Sequence, residues 1–346
     1  EEEFYDTMME RIRSVIGERT IDNVIVQHAE PDHSGGFLKF MKDYPDAKPY
    51  ASNAGVGIML KQYFKNYDFQ KVKTGDTLST GRYTLTFVEM PMIHWPDNML
   101  TYVSEQKIAF SNDAFGQHIA SYDIFDDAHG AAKCIDRAKD YYANIVMPYG
   151  MQVANKLKQI RDMNLDIDMI APAHGVIWRS YIPELLQAYE EFATFQSVDK
   201  AVIVYESVWK HTQMMAEALA EGMGRNGVCV KIFKCSMTSP AIIQKELLDA
   251  KAILVGSGNY NNAMSGSIAA FLEKLISCKV KNKKGLGFGS YGWANLVTKE
   301  INARLVKAGI TLLNDEVVSQ NYTPSEEDLD ALMELGKQIA EEIKAM

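Results

Sequence analysis

Hydrophobic and polar positions follow one rhythm up to about residue 199 and another beyond it. Phe4, Met8, Ile12 and Ile16 recur every four residues, which predicts an amphipathic helix over 4–16. The apolar run Val24-Ile25-Val26, inside residues 20–27, predicts a buried strand. Ser34-Gly35-Gly36 then predicts a sharp turn into a helix around 37–42, and a further helix is expected over 54–67. Residues 83–88 alternate with a period of two and read as a strand running into a proline-punctuated loop, 90–97. Short strands are expected over 107–111 and 168–172. From residue 200 the pattern is strand then helix, repeated: strands at 200–205, 228–233, 252–255, 285–289 and 310–318, with helices at 213–226, 240–250, 267–277, 298–308 and 325–346. Five such units are the signature of a doubly wound parallel sheet. The expected fold class is therefore α/β in two domains, 1–196 and 197–346.

Composition narrows this picture more than it extends it. The 346 residues are 47% hydrophobic and 23% charged, ordinary for a globular chain. A net charge of −9 disfavours nucleic acid and anionic membrane surfaces as partners. No apolar run approaches the roughly 18–20 residues of a membrane-spanning helix. Cys134, Cys229, Cys235 and Cys278 are scattered and form no C-x-x-C pair. That argues against a disulfide scaffold, a zinc ribbon or a rubredoxin-type iron site, and makes a reducing, cytoplasmic setting the expectation. Residue 1 is a glutamate at the edge of a helical segment, with neither an initiator methionine nor a signal peptide, so the sequence is expected to begin inside a domain.

Candidate chemistry concentrates in His28-Ala-Glu-Pro-Asp-His33, four metal-capable side chains in six residues directly after a strand. Mixed imidazole and carboxylate favour zinc, iron or manganese over calcium or magnesium. His94, Asp113 and His174 each stand just past another apolar strand. Parallel placement of that kind gathers side chains at one rim of a sheet structure. Any one of these histidines alone would more often be an ordinary core or surface residue; the shared context makes them a set.

The set resembles the binuclear motif of the metallo-β-lactamase superfamily, H-x-H-x-D-H and later His, Asp and His, with Glu30 replacing the second histidine. In that form it resembles the diiron domain of the flavodiiron proteins (A-type flavoproteins). The exchange adds negative charge, which suits a harder, redox-active metal pair. The resemblance implies a metallo-β-lactamase-like αββα domain with one iron on His28, Glu30 and His94, and the other on Asp32, His33 and His174. Asp113 would bridge them. It also suggests that one of Tyr141 and Tyr142 approaches the metals as a proton donor, although core packing accounts for both. His118 is a candidate hydrogen-bonding group near the bridge, and His129 is expected to face solvent.

In the second half, the loops at three strand ends carry hydroxyl, amide and aromatic groups. They are Ser207, Val208, Trp209, Lys210, His211 and Thr212; Ser257, Gly258, Asn259, Tyr260, Asn261 and Asn262; and Ser290, Tyr291, Gly292 and Trp293. Ligands bind such sheets at the carboxyl ends of the strands, and a helix N-terminus there favours a phosphate. Hydroxyls for a phosphate and aromatics for a flat ring describe a flavin mononucleotide (FMN) site, in an arrangement similar to flavodoxin. No G-x-G-x-x-G follows the first strand. His211 stands where family loops carry a small hydroxyl residue, which leaves its role open, and ordinary turn chemistry explains any single one of these loops.

A flavin joined to two irons implies an oxidoreductase that reduces dioxygen to water, nitric oxide to nitrous oxide, or both. The rival readings are a binuclear metallo-hydrolase and a simple electron carrier. The resemblance further implies electrons from an external donor, rubredoxin or a reduced deazaflavin, and a head-to-tail homodimer or homotetramer. It also implies several tens of further residues before Glu1 in family members.

Overall fold

The computed structural model describes residues 1–314 and 316–346 and divides into two compact units. The first takes Glu1–Tyr141 with Met151–Glu190, and the second takes Tyr142–Gly150 with Glu191–Met346.

In chain order the first half runs α1 (Tyr5–Ile16), β1 (Asn23–Val26), α2 (Pro31–Ser34), α3 (Phe37–Asp43), β2 (Lys48–Ser52), α4 (Asn53–Tyr63) and β3 (Gln70–Val72). It continues with β4 (Thr77–Ser79), β5 (Thr84–Glu89), β6 (Met99–Val103), β7 (Ile108–Asn112), α5 (Ala131–Tyr141), α6 (Gly150–Asp162), β8 (Met169–Pro172) and α7 (Ile182–Ala193). Strands β1, β2 and β3 form one parallel sheet. Strands β4 to β8 form a second, antiparallel except for the β7·β8 pair. Ile25, Tyr50 and Val72 of the first sheet pack with Leu78, Phe87 and Met99 of the second, and Tyr50 stacks on Phe87. α1 faces inward through Tyr5 and Met9, with Ile12 beside them, whereas Phe4 and Met8 of the expected stripe are exposed; Phe37, Phe40 and Met59 join the inward face over the outer face of the first sheet. Trp178 is fully buried and donates its indole N–H to Phe115 O at 2.9 Å.

The second half runs β9 (Val198–Glu206), α8 (His211–Arg225), β10 (Cys229–Lys234), α9 (Pro240–Leu248), β11 (Ala250–Ser257), α10 (Gly266–Ser277) and β12 (Lys284–Tyr291), then α11 (Val297–Lys307), β13 (Thr311–Leu312), β14 (Val318–Asn321) and α12 (Glu326–Lys344). The sheet is wholly parallel in the order β10-β9-β11-β12, with β13 and β14 both pairing β12. Ser325 and Asp328 close a capping box that starts α12. That helix packs on α8 where Gly222 and Gly336 bring the two backbones together.

The α/β class and the change of rhythm hold, but several local expectations do not. Strands β2, β3, β4 and β6 had no sequence expectation behind them. The single strand expected over 310–318 is two short strands flanking residue 315. The helix expected over 54–67 stops at Tyr63, because Phe64 takes a left-handed φ of 52°. Gly35 and Gly36 do not make a sharp turn, since both have right-handed helical torsions. They are small for close approach instead: a Cβ on Gly35 would lie 2.6 Å from Pro31 O.

Candidate functional site

In the first unit, three of the loops leave one rim of the five-stranded sheet for a simple reason. β6 is antiparallel to both β5 and β7, and β8 is parallel to β7, so β5, β7 and β8 end on the same side. Those ends carry His94, Asp113 and His174. The first motif arrives from β1, and Gln27 ties it across by donating to Met99 O and Phe110 O at 3.1 and 2.7 Å. Pro31 starts α2, whose single turn carries Asp32 and His33, and Ser34 Oγ donates to Ala29 O at 2.7 Å.

The side chains then fall into two sets around Asp113. Its Oδ2 lies 3.3 Å from His28 Nε2 and 3.4 Å from His94 Nε2, and both imidazoles also approach Glu30 Oε2, at 3.3 and 3.0 Å. Its Oδ1 lies 3.1 Å from His33 Nε2 and 3.2 Å from His174 Nε2, and both of these approach Asp32 Oδ2, at 3.3 and 3.4 Å. At the looser limit of 4.8 Å His33 falls within both sets, but the short contacts separate them.

This arrangement fits cations. Asp113 Oδ2 and His33 Nε2 are buried with no hydrogen-bond partner, although an imidazole or carboxylate atom stands within 3.4 Å of each, and Asp32 Oδ1 is likewise buried without one. Lone pairs that converge without hydrogen-bond geometry are oriented for metal. Four imidazoles and three carboxylates suit iron, manganese or zinc.

The electrostatics agree. Burial pushes the Asp113 carboxyl up, but its contacts with His174, His33 and His94 outweigh that and hold it far below the usual carboxylate range. Contact with Asp113 raises His174. Burial lowers His28, yet Asp97 first and then Asp113 and Glu30 raise it on balance. Tyr141 donates its hydroxyl to Asp113 Oδ1 at 3.1 Å, and burial, then Asp113, push its phenol far above the ordinary range. A Cβ on Gly116 would lie 3.0 Å from Asp113 O and 3.1 Å from the Tyr141 ring, so the glycine lets that ring approach closely.

Of the other predicted residues, His118 is exposed, with Nδ1 3.7 Å from Asp140 and its ring edge-on to Tyr141 at 5.2 Å, and it does not reach the ligand set. Tyr142 is buried against Phe192. His129 binds the Asp123 carbonyl. Two residues of the His94 loop had no sequence expectation. Asp97 is buried and contacts His28 Nδ1, and Trp95 meets the His28 ring edge-on at 5.1 Å.

In the second unit, the ends of β9, β11 and β12 surround a cavity of about 480 Å³. Twelve of the predicted residues line it: Ser207, Val208, Trp209, His211, Thr212, Gly258, Asn259, Tyr260, Ser290, Tyr291, Gly292 and Trp293. Tyr322, just past β14, also lines it; it was missed because nothing in its own stretch marks it. Thr212 and Ser290 share a hydroxyl hydrogen bond of 2.9 Å at the start of α8. Trp209 and Trp293 stand 79% and 90% exposed on its lining, flat rings with little else covering them. Asn259 donates to Ala294 O, and its Oδ1 is buried without a hydrogen-bond partner. Hydroxyls, an open amide acceptor, a helix N-terminus and two uncovered indoles fit a phosphate-bearing flat ring. His211 is held by Thr323, Nε2 to Oγ1 3.0 Å.

Lys210, Ser257, Asn261 and Asn262 are not among the lining residues. Ser257 spends its hydroxyl inside the loop, donating to Gly258 O and accepting from Ser265 N. Asn261 and Asn262 both take positive φ and form the two-residue turn between Tyr260 and Ala263. Lys210 is the left-handed residue before α8. Turn chemistry accounts for all three of those latter positions.

Residues 1–175 match the family model for the ODP family beta lactamase, and residues 203–336 match that for flavodoxin. A nitric oxide reductase of Moorella thermoacetica is 40% identical over 99% of this chain and 86% of its own length. Rubredoxin oxygen:oxidoreductase from Desulfovibrio gigas superposes with a TM-score of 0.97 at 33% identity, covering 100% of this chain and 86% of that one. The flavodiiron protein from Giardia intestinalis gives 0.96 at 25% identity, covering 100% and 85%. The two family models follow one another along the chain, these relatives match it over nearly its whole length, and the chain belongs to the flavodiiron proteins.

Proposed function

We propose that this chain is an oxidoreductase that reduces dioxygen to water, nitric oxide to nitrous oxide, or both, at two non-haem irons served by FMN. The observation that carries the reading is Asp113, whose two oxygens each face a different pair of imidazoles, each pair also meeting a second carboxylate of its own. His28, Glu30 and His94 would hold one iron, and Asp32, His33 and His174 the other, with Asp113 between. FMN, when bound, would supply single-electron transfer, and the iron pair the binding and reduction of a diatomic substrate. The chain's own residues supply the rest. Asp113 offsets the repulsion of two close cations. Both reductions consume protons as well as electrons, and Tyr141 keeps a proton at the bridging carboxylate. His118 is exposed and lies edge-on to Tyr141 at 5.2 Å, where it would be the next group along a path for protons to that phenol. Ser207, Thr212 and Ser290 would take the phosphate, with Trp209, Tyr260 and Trp293 against the ring.

The functional division is placed at 196/197. The donor is an external reductant, rubredoxin or a reduced deazaflavin, and the active assembly a head-to-tail homodimer or homotetramer in the cytoplasm. Among the described residues no helix is long and apolar enough to cross a membrane.

The test is metal and flavin analysis joined to anaerobic gas-consumption assays with reduced rubredoxin or deazaflavin. About two irons and one FMN per chain, with consumption of at least one gas, is the expected result. Zinc without flavin, and hydrolysis of an ester or amide, would replace this reading with a metallo-hydrolase.

A further inference from the structure

The two metal-binding sets are alike in their donors and unlike behind them. His28 is buried, and its Nδ1, the nitrogen turned away from Glu30 and Asp113, lies 3.2 and 3.1 Å from the two oxygens of Asp97. Among the described residues, His33, His94 and His174 meet carboxylates through Nε2 alone. Only one of the four imidazoles therefore has an acid on both sides.

Asp97 is itself held from several directions. Its Oδ2 accepts the Ala29 N–H at 2.7 Å, so one carboxylate fixes both the His28 ring and the backbone that follows it. Its own carbonyl accepts from Ser52 Oγ at 2.9 Å, and Ser52 also accepts the Gly55 N–H as the cap of α4. The β1·β2 register, Val26 opposite Ala51, brings Ser52 beside the exit of β1. The order Ser52, Asp97, His28 thus runs from a helix cap to a metal-binding nitrogen through buried groups. A carboxylate so enclosed, with little water to solvate it, stays only where its partners are worth the desolvation.

We propose that Asp97 is a positioning residue that makes the two metal positions unequal. By accepting Nδ1–H it fixes the tautomer of His28, aims Nε2 at the Glu30 side of the bridge, and makes that imidazole the strongest neutral donor of the four. The His28/Glu30/His94 position should then hold its iron more tightly, and favour the ferric state more, than the position on Asp32, His33 and His174. The inference rests on the diiron reading above.

The experiment is a chelator titration of the purified, FMN-loaded protein, followed by iron analysis and Mössbauer spectroscopy, for wild type, Asp97→Ala and Asp97→Asn. Wild type must first show about two irons in two distinguishable environments; if it does not, the diiron reading fails and the inference with it. Given that, Asp97→Ala should release one iron at about 10- to 100-fold lower chelator concentration, with the other unmoved. Asp97→Asn keeps an acceptor for the Ala29 N–H but loses the charge. It should hold iron better than the alanine variant while its most easily oxidised iron moves to a higher reduction potential. Should the alanine variant fail to fold, judged by FMN content and circular dichroism, the asparagine variant decides alone. Release of both irons together, or a folded variant with the wild-type chelation midpoints and potentials, overturns the proposal.

Discussion

The two sites of this chain are built from opposite materials. In the first unit, specificity lies in charged and titratable side chains: each of four imidazoles lies within 3.4 Å of two of three carboxylates. In the second, the cavity lining contains no aspartate, glutamate, lysine or arginine among the described residues. It is made of hydroxyls, amides, glycines and aromatic rings. A site of converging charges concentrates its free energy in a few atoms, because each donor left without its cation is a desolvated polar group. A site of small dipoles and flat surfaces spreads the same task over many weak contacts. The first should fail abruptly when one residue changes, and the second by degrees.

Asp113→Asn is the sharpest way to break that contrast. It removes the negative charge of the bridge, and one of its two oxygens, in the place where two sets of side chains converge on it. Iron should be lost and gas consumption should fall to background, while FMN content stays near wild type. Iron analysis and flavin absorbance check both halves; a variant retaining two irons and full turnover would refute the bridging assignment.

The next effect tests whether the second unit is tolerant only at its cavity. A methyl group on Gly222 would run into Met333 O and come within 3.0 Å of Gly336 Cα, with backbone rather than a flexible side chain in the way. Gly222→Ala should cost about 1–3 kcal/mol by overpacking. A urea titration followed by flavin release would show it, with iron bound per folded chain unchanged. An unshifted midpoint would mean that α8 and α12 separate freely.

The smallest effect belongs to a single cavity hydroxyl. Thr212→Val keeps the shape but removes the bond to Ser290 Oγ and one donor toward a phosphate. A loss of about 1 kcal/mol, or about fivefold in FMN affinity, is expected. Fluorescence titration of the deflavinated protein measures it. A loss of a hundredfold would show that this cavity, too, depends on one residue.

The same contrast governs what could be seen in the sequence. All seven positions proposed to hold metal were legible, because they stand in one dense motif or just beyond recognisable strands and are residue types that metal chemistry uses. Asp97 was not, since a carboxylate in a proline-flanked loop looks the same whether exposed or buried; its role comes from Ser52, 45 positions away, and from His28, 69 away. Strands β3 and β4 are three residues long, too short to show a period. β6 is buried at all five positions, which erases the alternation, and β2 carries Pro49. In the second unit the loops were legible as a class, but not which atoms face the cavity. Ser257 and Ser290 read alike, yet one braces its own loop and the other meets Thr212.

The placement of the indoles makes the protein its own reporter. Of its four tryptophans, Trp178 is wholly enclosed and should emit toward the blue, whereas Trp209 and Trp293 stand exposed at the cavity and should emit toward the red. A flavin against those two rings absorbs across their emission band, so loading of the cofactor darkens the red side of the spectrum. Trp95, edge-on to His28, stands where a paramagnetic metal held by that imidazole should quench it. Steady-state emission, resolved by wavelength, thus reads the two cofactors separately from unlabelled protein in one cuvette.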